Sequence, residues 1–172
     1  LSNHDQVKEF LCKTWRSWSK PCVIDADGLN AISSGVELPD ADCVLTPHQG
    51  EMSRLLKCSI AEIQADRFHT VRQAVDKLQR CVLLKGPYSI VGEPGQPMLV
   101  NCTGNSGMAS GGMGDVLTGV VAALLAQGWS PRAAAVLGAC VHGHAADRAA
   151  AAGGERGLLA ADLMPFLRAI VN

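Results

Sequence analysis

The sequence predicts a three-layer α/β domain around a largely parallel sheet, and three observations carry that expectation. Short apolar runs that end in charged or polar residues alternate with segments of helical period. Hydrophobic residues make up 48% of the chain but aromatics only 4%, so the core is built from Ala, Val, Leu and Ile, as in sheets covered by helices on both faces. The 172 residues suit one domain, and residues 1–172 read as a single one, with no internal repeat, low-complexity tract or linker.

The elements follow in order. Val7, Phe10, Leu11, Thr14 and Trp18 recur at helical spacing and predict an amphipathic helix over 4–19, stopped by Pro21. Cys22 to Asp25 reads as a buried strand with Asp25 and Asp27 at its C-terminal end. Residues 28–34 read as a short helix or turn, and Cys43 to Thr46 as a second strand. Thr46-Pro-His-Gln49 has the spelling of a capping box with Pro at the first helical position, opening a helix to Leu56. Ser59-Ile-Ala-Glu62 is another capping box, expected to open one helix to about Gln79.

Cys81 to Lys85 predicts a third strand. Gly86-Pro87 is a turn signal, and Tyr88 to Val91 and Met98 to Asn101 read as two further strands joined by a hairpin-like loop. The glycine-rich run follows. After it, Asp115 to Gln127 is apolar nearly all round and predicts a buried helix ended by Gly128. Ser130-Pro131 opens an Ala-rich helix to about Ala152. A last helix over roughly 161–171 tolerates Pro165 in its first turn.

Charge narrows the function classes. A formal net charge of −1 leaves no basic stripe for nucleic acid and no polybasic membrane patch. The most apolar stretch, Val116 to Ala126, is too short to span a bilayer. Seven cysteines at 12, 22, 43, 58, 81, 102 and 140 contain no C-x-x-C pair, which argues against a zinc ribbon and suits reduced thiols in a cytoplasm. The chain opens on Leu1 rather than Met, which points to a fragment or processed product.

The chemistry is concentrated in Asn101-Cys-Thr-Gly-Asn-Ser-Gly-Met-Ala-Ser-Gly-Gly-Met-Gly-Asp115. Five glycines between Gly104 and Asp115 cost conformational entropy that a plain strand-to-helix turn with an Asp cap does not require. They let successive backbone N–H groups turn inward as an anion nest, and the following helix adds the positive end of its dipole. Two familiar spellings fail. A P-loop needs Lys and Ser/Thr where Met113-Gly114 stands, and a dinucleotide turn needs Gly where Leu117 stands. His142-Gly-His144 places two rings on different faces of a helix, so packing explains it better than a shared metal ion.

What remains is the ending Gly112-Met-Gly-Asp115, which resembles the anion hole and catalytic base of the ribokinase-like superfamily. Val23-Ile-Asp-Ala-Asp-Gly-Leu-Asn30, Leu45-Thr-Pro-His-Gln-Gly-Glu-Met52 and Leu84-Lys-Gly-Pro-Tyr-Ser89 precede it in order. With the glycine run through Gly119, these segments resemble the ADP-dependent NAD(P)H-hydrate dehydratases, and the likeness covers nearly the whole chain. The resemblance implies a lyase that restores NADH or NADPH from the hydrated S-epimer while ADP becomes AMP and phosphate. It implies Asp115 as base and substrate contact, and His48 as a second substrate contact. Lys85, Gly86, Pro87, Tyr88, Ser89, Asn105, Gly111, Gly112 and Gly114 are then nucleotide contacts. Mg²⁺ is implied, with Glu51 near its water shell and no ligand set assigned. The Thr-Pro-His-x-Gly-Glu and Gly-Asn-x-Gly-Met-Ala spellings favour ADP over ATP.

Family dehydratase domains carry further N-terminal strands with substrate contacts. The resemblance therefore implies the C-terminal part of such a domain, from a bacterial bifunctional protein with an epimerase domain ahead of it, assembled as a homotetramer. A chain lacking those strands is expected to bind substrate poorly. Two other readings stand beside this one: a ribokinase-like kinase of a small alcohol or vitamin precursor, and a non-catalytic nucleotide-binding fragment.

Overall fold

A computed structural model of the chain describes residues 4–171. Helix α1 (His4–Trp15) leads into strand β1 (Cys22–Ile24) and helix α2 (Asp27–Ser33). Strand β2 (Cys43–Leu45) is followed by helices α3 (Gln49–Leu56), α4 (Ile60–Ala65) and α5 (Arg67–Leu78). Strands β3 (Cys81–Leu84), β4 (Ile90–Gly92) and β5 (Leu99–Val100) come next. The glycine-rich loop, with one 3₁₀ turn at Ser106–Met108, opens into α6 (Met113–Ala126) and the long α7 (Pro131–Gly153). A second 3₁₀ turn (Ala160–Leu163) runs into α8 (Met164–Val171).

The strands lie in sequence order. β1, β2 and β3 pair in parallel, and β3–β4 and β4–β5 pair antiparallel. Val44, Cys81, Leu83 and Val91 face Leu117, Val121 and Leu125 of α6 and Ala134, Ala135 and Ala139 of α7. Val82, Leu84 and Ile90 face Met52, Ile63, Val71 and Val75 of α3 to α5. Alternate residues of β3 thus supply both cores, which explains why Cys81 to Leu84 is apolar at every position. The three-layer expectation holds, and the hairpin expected before the glycine loop supplies the antiparallel edge.

Several boundaries shift for identifiable reasons. The second strand leads into its helix later than the Thr46 cap implied. Thr46 N–H still bonds Ile24 O (3.1 Å), and Pro47 O accepts the Lys85 N–H (2.8 Å), so sheet pairing continues through 47. His48 is the cap instead. The single helix expected over 59–79 is two: Asp66 adopts an extended conformation and its carboxylate accepts the His69 N–H (2.8 Å), capping α5. The strand expected from Tyr88 starts at Ile90, because Tyr88 has a left-handed φ of 52°.

Helix α6 begins two residues before Asp115 and is not buried all round. It buries Met113, Leu117, Val121 and Leu125, while Gly119, Ala122, Ala123 and Ala126 are exposed. Apolar composition did not reveal this one-sided burial, because alanine and glycine are small enough to face solvent at little cost. In α1 Phe10 is exposed and Trp18 lies beyond the helix, whereas Trp15 packs on the core around Leu29 and Leu45. None of the described helices is long and apolar enough to cross a membrane. All seven cysteines are free thiols.

Candidate active site

Parallel strands end together, so the residues after β1, β2 and β3 meet at one edge of the sheet. After β1 stands Asp25, after β2 Thr46-Pro47-His48, and after β3 Lys85. The Lys85 ammonium donates to Asp25 Oδ1 (2.6 Å) and lies 3.8 Å from Glu51 Oε2. Asp25 Oδ2 also accepts the Thr118 hydroxyl from α6 (3.1 Å). The Asp25 and Lys85 side chains are 13% and 18% exposed, so the ion pair is shielded but still reachable.

Asp25 and Asp27 have different roles. Ala26 between them has φ 47°, an uncommon conformation that sends the two side chains apart. Asp25 enters the cluster, while Asp27 accepts the Asn30 amide (3.3 Å) within its own helix.

His48 caps α3 through its ring. Nδ1 accepts the N–H groups of Gly50 (2.9 Å) and Glu51 (3.4 Å), and Glu51 Oε2 accepts the His48 N–H (2.8 Å). An Nδ1 that accepts carries no proton, so the ring proton sits on Nε2, 3.5 Å from Glu51 Oε1. The ring is 55% exposed. Gly50 leaves room for it, since a Cβ there would stand 2.9 Å from His48 Cε1.

The α6 N-terminus faces the same cluster. Its cap is Gly112 (φ 85°), with no side chain bonding the first N–H groups. At Gly114 a Cβ would touch Lys85 Nζ (3.5 Å) and Asp25 Oδ2 (3.7 Å), so this turn lies directly on the ion pair. Asp115 follows in the first turn, exposed and without a hydrogen-bonding or ionic partner among the described residues. A free carboxylate on a turn whose uncapped N–H groups adjoin an ammonium is suited to taking a proton next to an anion held there.

The segment from Lys85 to Ser89 forms a tight loop beside this cluster. Gly86 has φ 141°, the Ser89 hydroxyl donates to Gly86 O (3.0 Å), and Arg67 donates to Pro87 O. Burial lowers the Arg67 pKa below the usual guanidinium value. The Tyr88 ring projects outward, 67% exposed.

Asn105 turns inward. Its Oδ1 accepts the Gly107 N–H (3.0 Å), and its Nδ2 donates to Asp147 Oδ1 on α7 (3.0 Å). Further along, Ser110 donates to Leu158 O (3.0 Å) and Gly112 packs on Ala160, while Gly111 has open space around its Cα. Ser106, Gly107, Ala109 and Ser110 also line a cavity of about 800 Å³ against Gly153–Leu159.

His142 and His144 do not form a pair. His142 is buried, its pKa pulled down to about 4 by desolvation, and His144 is exposed. Gly143 between them lets the chain at Thr103 cross α7, since a Cβ there would stand 2.7 Å from Thr103 C. Among the described residues no group of three His, Cys, Asp or Glu is arranged to hold a metal ion.

The structure therefore brings together Lys85, Gly114, His48 through Glu51, and the α6 turn that carries Asp115. Sequence reasoning placed Asp25 at a strand's C-terminal end without giving it a role, and it missed Thr118, Arg67 and Asp147. Asp25 had one signal, an acid at a parallel strand's C-terminal end. The other three act through tertiary contacts that no local spelling announces.

Known proteins share the sequence and fold of this chain. The Carb_kinase family model, described as NAD(P)H-hydrate dehydratase, matches residues 1–168. The bifunctional NAD(P)H-hydrate repair enzyme Nnr of Coxiella burnetii is 45% identical over 172 residues, all of this chain and 35% of that protein. An ADP-dependent (S)-NAD(P)H-hydrate dehydratase of Neisseria meningitidis is 42% identical over 89% of this chain and 54% of that protein. The solved ADP/ATP-dependent NAD(P)H-hydrate dehydratase of Bacillus subtilis, co-crystallized with ATP/Mg²⁺, is 28% identical and superposes with a TM-score of 0.80, over 88% of this chain and 54% of that one. The chain thus spans about a third of the matched repair enzyme and about half of the shorter dehydratases. The fold is the ribokinase-like α/β class, and the chain belongs to the NAD(P)H-hydrate dehydratase family.

Proposed function

We propose that this chain is the nucleotide and phosphoryl-transfer part of an enzyme that dehydrates the S-epimer of hydrated NADH or NADPH, turning ADP into AMP and phosphate. The observation that carries the reading is the meeting of the α6 N-terminus, the Lys85–Asp25 pair and the unpaired Asp115 at one sheet edge.

Water leaves poorly as hydroxide and well as phosphate. Asp115 takes the proton of the hydrated ring's hydroxyl as that oxygen attacks the β-phosphorus of ADP. The N–H groups of Gly111, Gly112 and Gly114 and the α6 dipole hold the transferring phosphoryl oxygens. Lys85 adds a point charge and trades part of its bond to Asp25 for a phosphate oxygen. AMP departs, the ring nitrogen's lone pair expels phosphate to leave an iminium, and loss of a proton from the adjacent ring carbon to solvent closes the double bond and restores reduced nicotinamide. His48 offers its Nε2–H to the hydrated dinucleotide. Gly86, Pro87 and Ser89 shape the nucleotide loop, and the exposed Tyr88 ring suits stacking on a base. Asn105 serves the nucleotide through the loop it orders.

Magnesium usually takes one or two carboxylates together with phosphates and water. Asp25 and Glu51, whose oxygens flank the Lys85 ammonium, fit that role, and the ion would neutralise charge on the diphosphate. Residues 1–172 are then one part of a dehydratase domain. In the parent protein an epimerase domain would supply the reactive epimer, and we assign a cytoplasmic homotetramer.

The test offers hydrated NADH to the full-length protein with ADP or ATP and follows the return of reduced-nicotinamide absorbance. Recovery with ADP is expected. Recovery with ATP alone overturns the donor assignment. No recovery, with phosphorylation of a small alcohol instead, replaces the lyase by a kinase.

A further inference from the structure

The glycine loop is tied to α7 by a short relay that ends on Asp147, a residue without a part in the proposed reaction. Asp147 Oδ2 accepts the Gly104 N–H (2.9 Å), and its Oδ1 accepts Asn105 Nδ2 (3.0 Å). Asn105 Oδ1 accepts the Gly107 N–H (3.0 Å). Two backbone amides are thus joined through two side chains, just ahead of the anion turn. Gly104 has φ 104°, which no ordinary side chain adopts easily, so the loop needs outside ties to hold this shape. We propose that Asp147 is a positioning residue for the phosphate-holding turn, acting through Asn105 and fixing the loop from which Gly111 to Gly114 are presented.

A donor–acceptor parity makes the relay specific. Both ends of the chain of bonds are N–H donors, so each side chain must turn an oxygen outward. The inner link then needs one donor and one acceptor. Asn105 with Asp147 satisfies all three bonds. Two amides cannot: with both oxygens outward, two NH₂ groups face each other, and flipping either one sets a donor against a backbone N–H. Two carboxylates leave two oxygens facing. The reversed pair, Asn105→Asp with Asp147→Asn, satisfies all three bonds again and conserves net charge.

This inference rests on the dehydratase reading only for what the turn holds. The experiment therefore has one readout without nucleotide, the hydrogen exchange of the Gly104 and Gly107 amides, and one with it, ADP affinity. Asp147→Asn is expected to speed exchange at one or both glycines and to weaken ADP binding, each by about tenfold, the effect of one unpaired donor. The reversed pair is expected to return both to within about threefold of wild type. Asn105→Ala, which leaves Asp147 on Gly104, is expected to expose Gly107 alone, so the relay stays testable should Asp147→Asn fold poorly. Unchanged exchange in Asp147→Asn, or no rescue in the reversed pair, overturns the relay. Protection from exchange that is lost and rescued while ADP affinity stays constant overturns the positioning role. Wild-type protein that binds no ADP overturns the dehydratase reading instead, and the exchange readout alone then decides the relay.

Discussion

Lys85 concentrates the chemistry of the site in one side chain. Its ammonium sits between Asp25 and Glu51 and against Gly114, so it balances two carboxylates, and in the proposed reaction it turns to a phosphate. Replacing it by Met keeps the stem and removes the charge. Loss of a charge-assisted bond to phosphate predicts roughly 10- to 100-fold weaker ADP binding, measurable by calorimetry. Unchanged affinity would make Lys85 a structural partner of Asp25 only. From sequence, Lys85 and Asp25 were both visible as charges at strand ends, but their pairing spans 60 residues and depends on strand order. His48 shows a different gap. A histidine cap is rare enough that Thr46, a conventional capping residue, was the better local candidate. Pairing of residues 46 and 47 with the neighbouring strands overrode it.

At the element scale, the helix and strand alternation was legible because each strand is short, apolar and bounded by polar residues. The break in the middle of 59–79 was not, since Asp66 interrupts an otherwise good helical pattern and only its cap to His69 reveals the second start. The crossing of the glycine loop over α7 was equally hidden. Gly143 stood inside a His-Gly-His spelling, and its role is to let the backbone at Thr103 approach. Gly143→Ala forces a methyl against that backbone, which neither side can yield cheaply. The expected cost is about 1–3 kcal/mol, read as a lower urea midpoint with unchanged m-value. A neutral result would show that the loop is not seated on α7 as described.

At the scale of the whole molecule, stability is linked to pH through His142. Burial holds its folded-state pKa at about 4, below the usual 6.5, so the unfolded chain binds the proton more readily. The stability from keeping this ring neutral is fully present above pH 6.5 and declines as pH falls toward 4. The total loss is about 3 kcal/mol. Urea unfolding at pH 7 and pH 5 is expected to show a drop in wild type that His142→Gln largely removes. An equal drop in both proteins would assign the effect to other groups. The same scale explains the shape of the site: three parallel strands ending together and one helix starting above them place residues from 25 to 118 within a single cluster. The central claim is that Asp115 acts as a base beside an anion held by backbone amides, and it is tested most directly by turnover and AMP binding in Asp115→Asn. Turnover of hydrated NADH is predicted to vanish while AMP affinity stays within about threefold of wild type. Retained turnover, or a large loss of AMP affinity, would contradict it and make Asp115 a shaper of the loop.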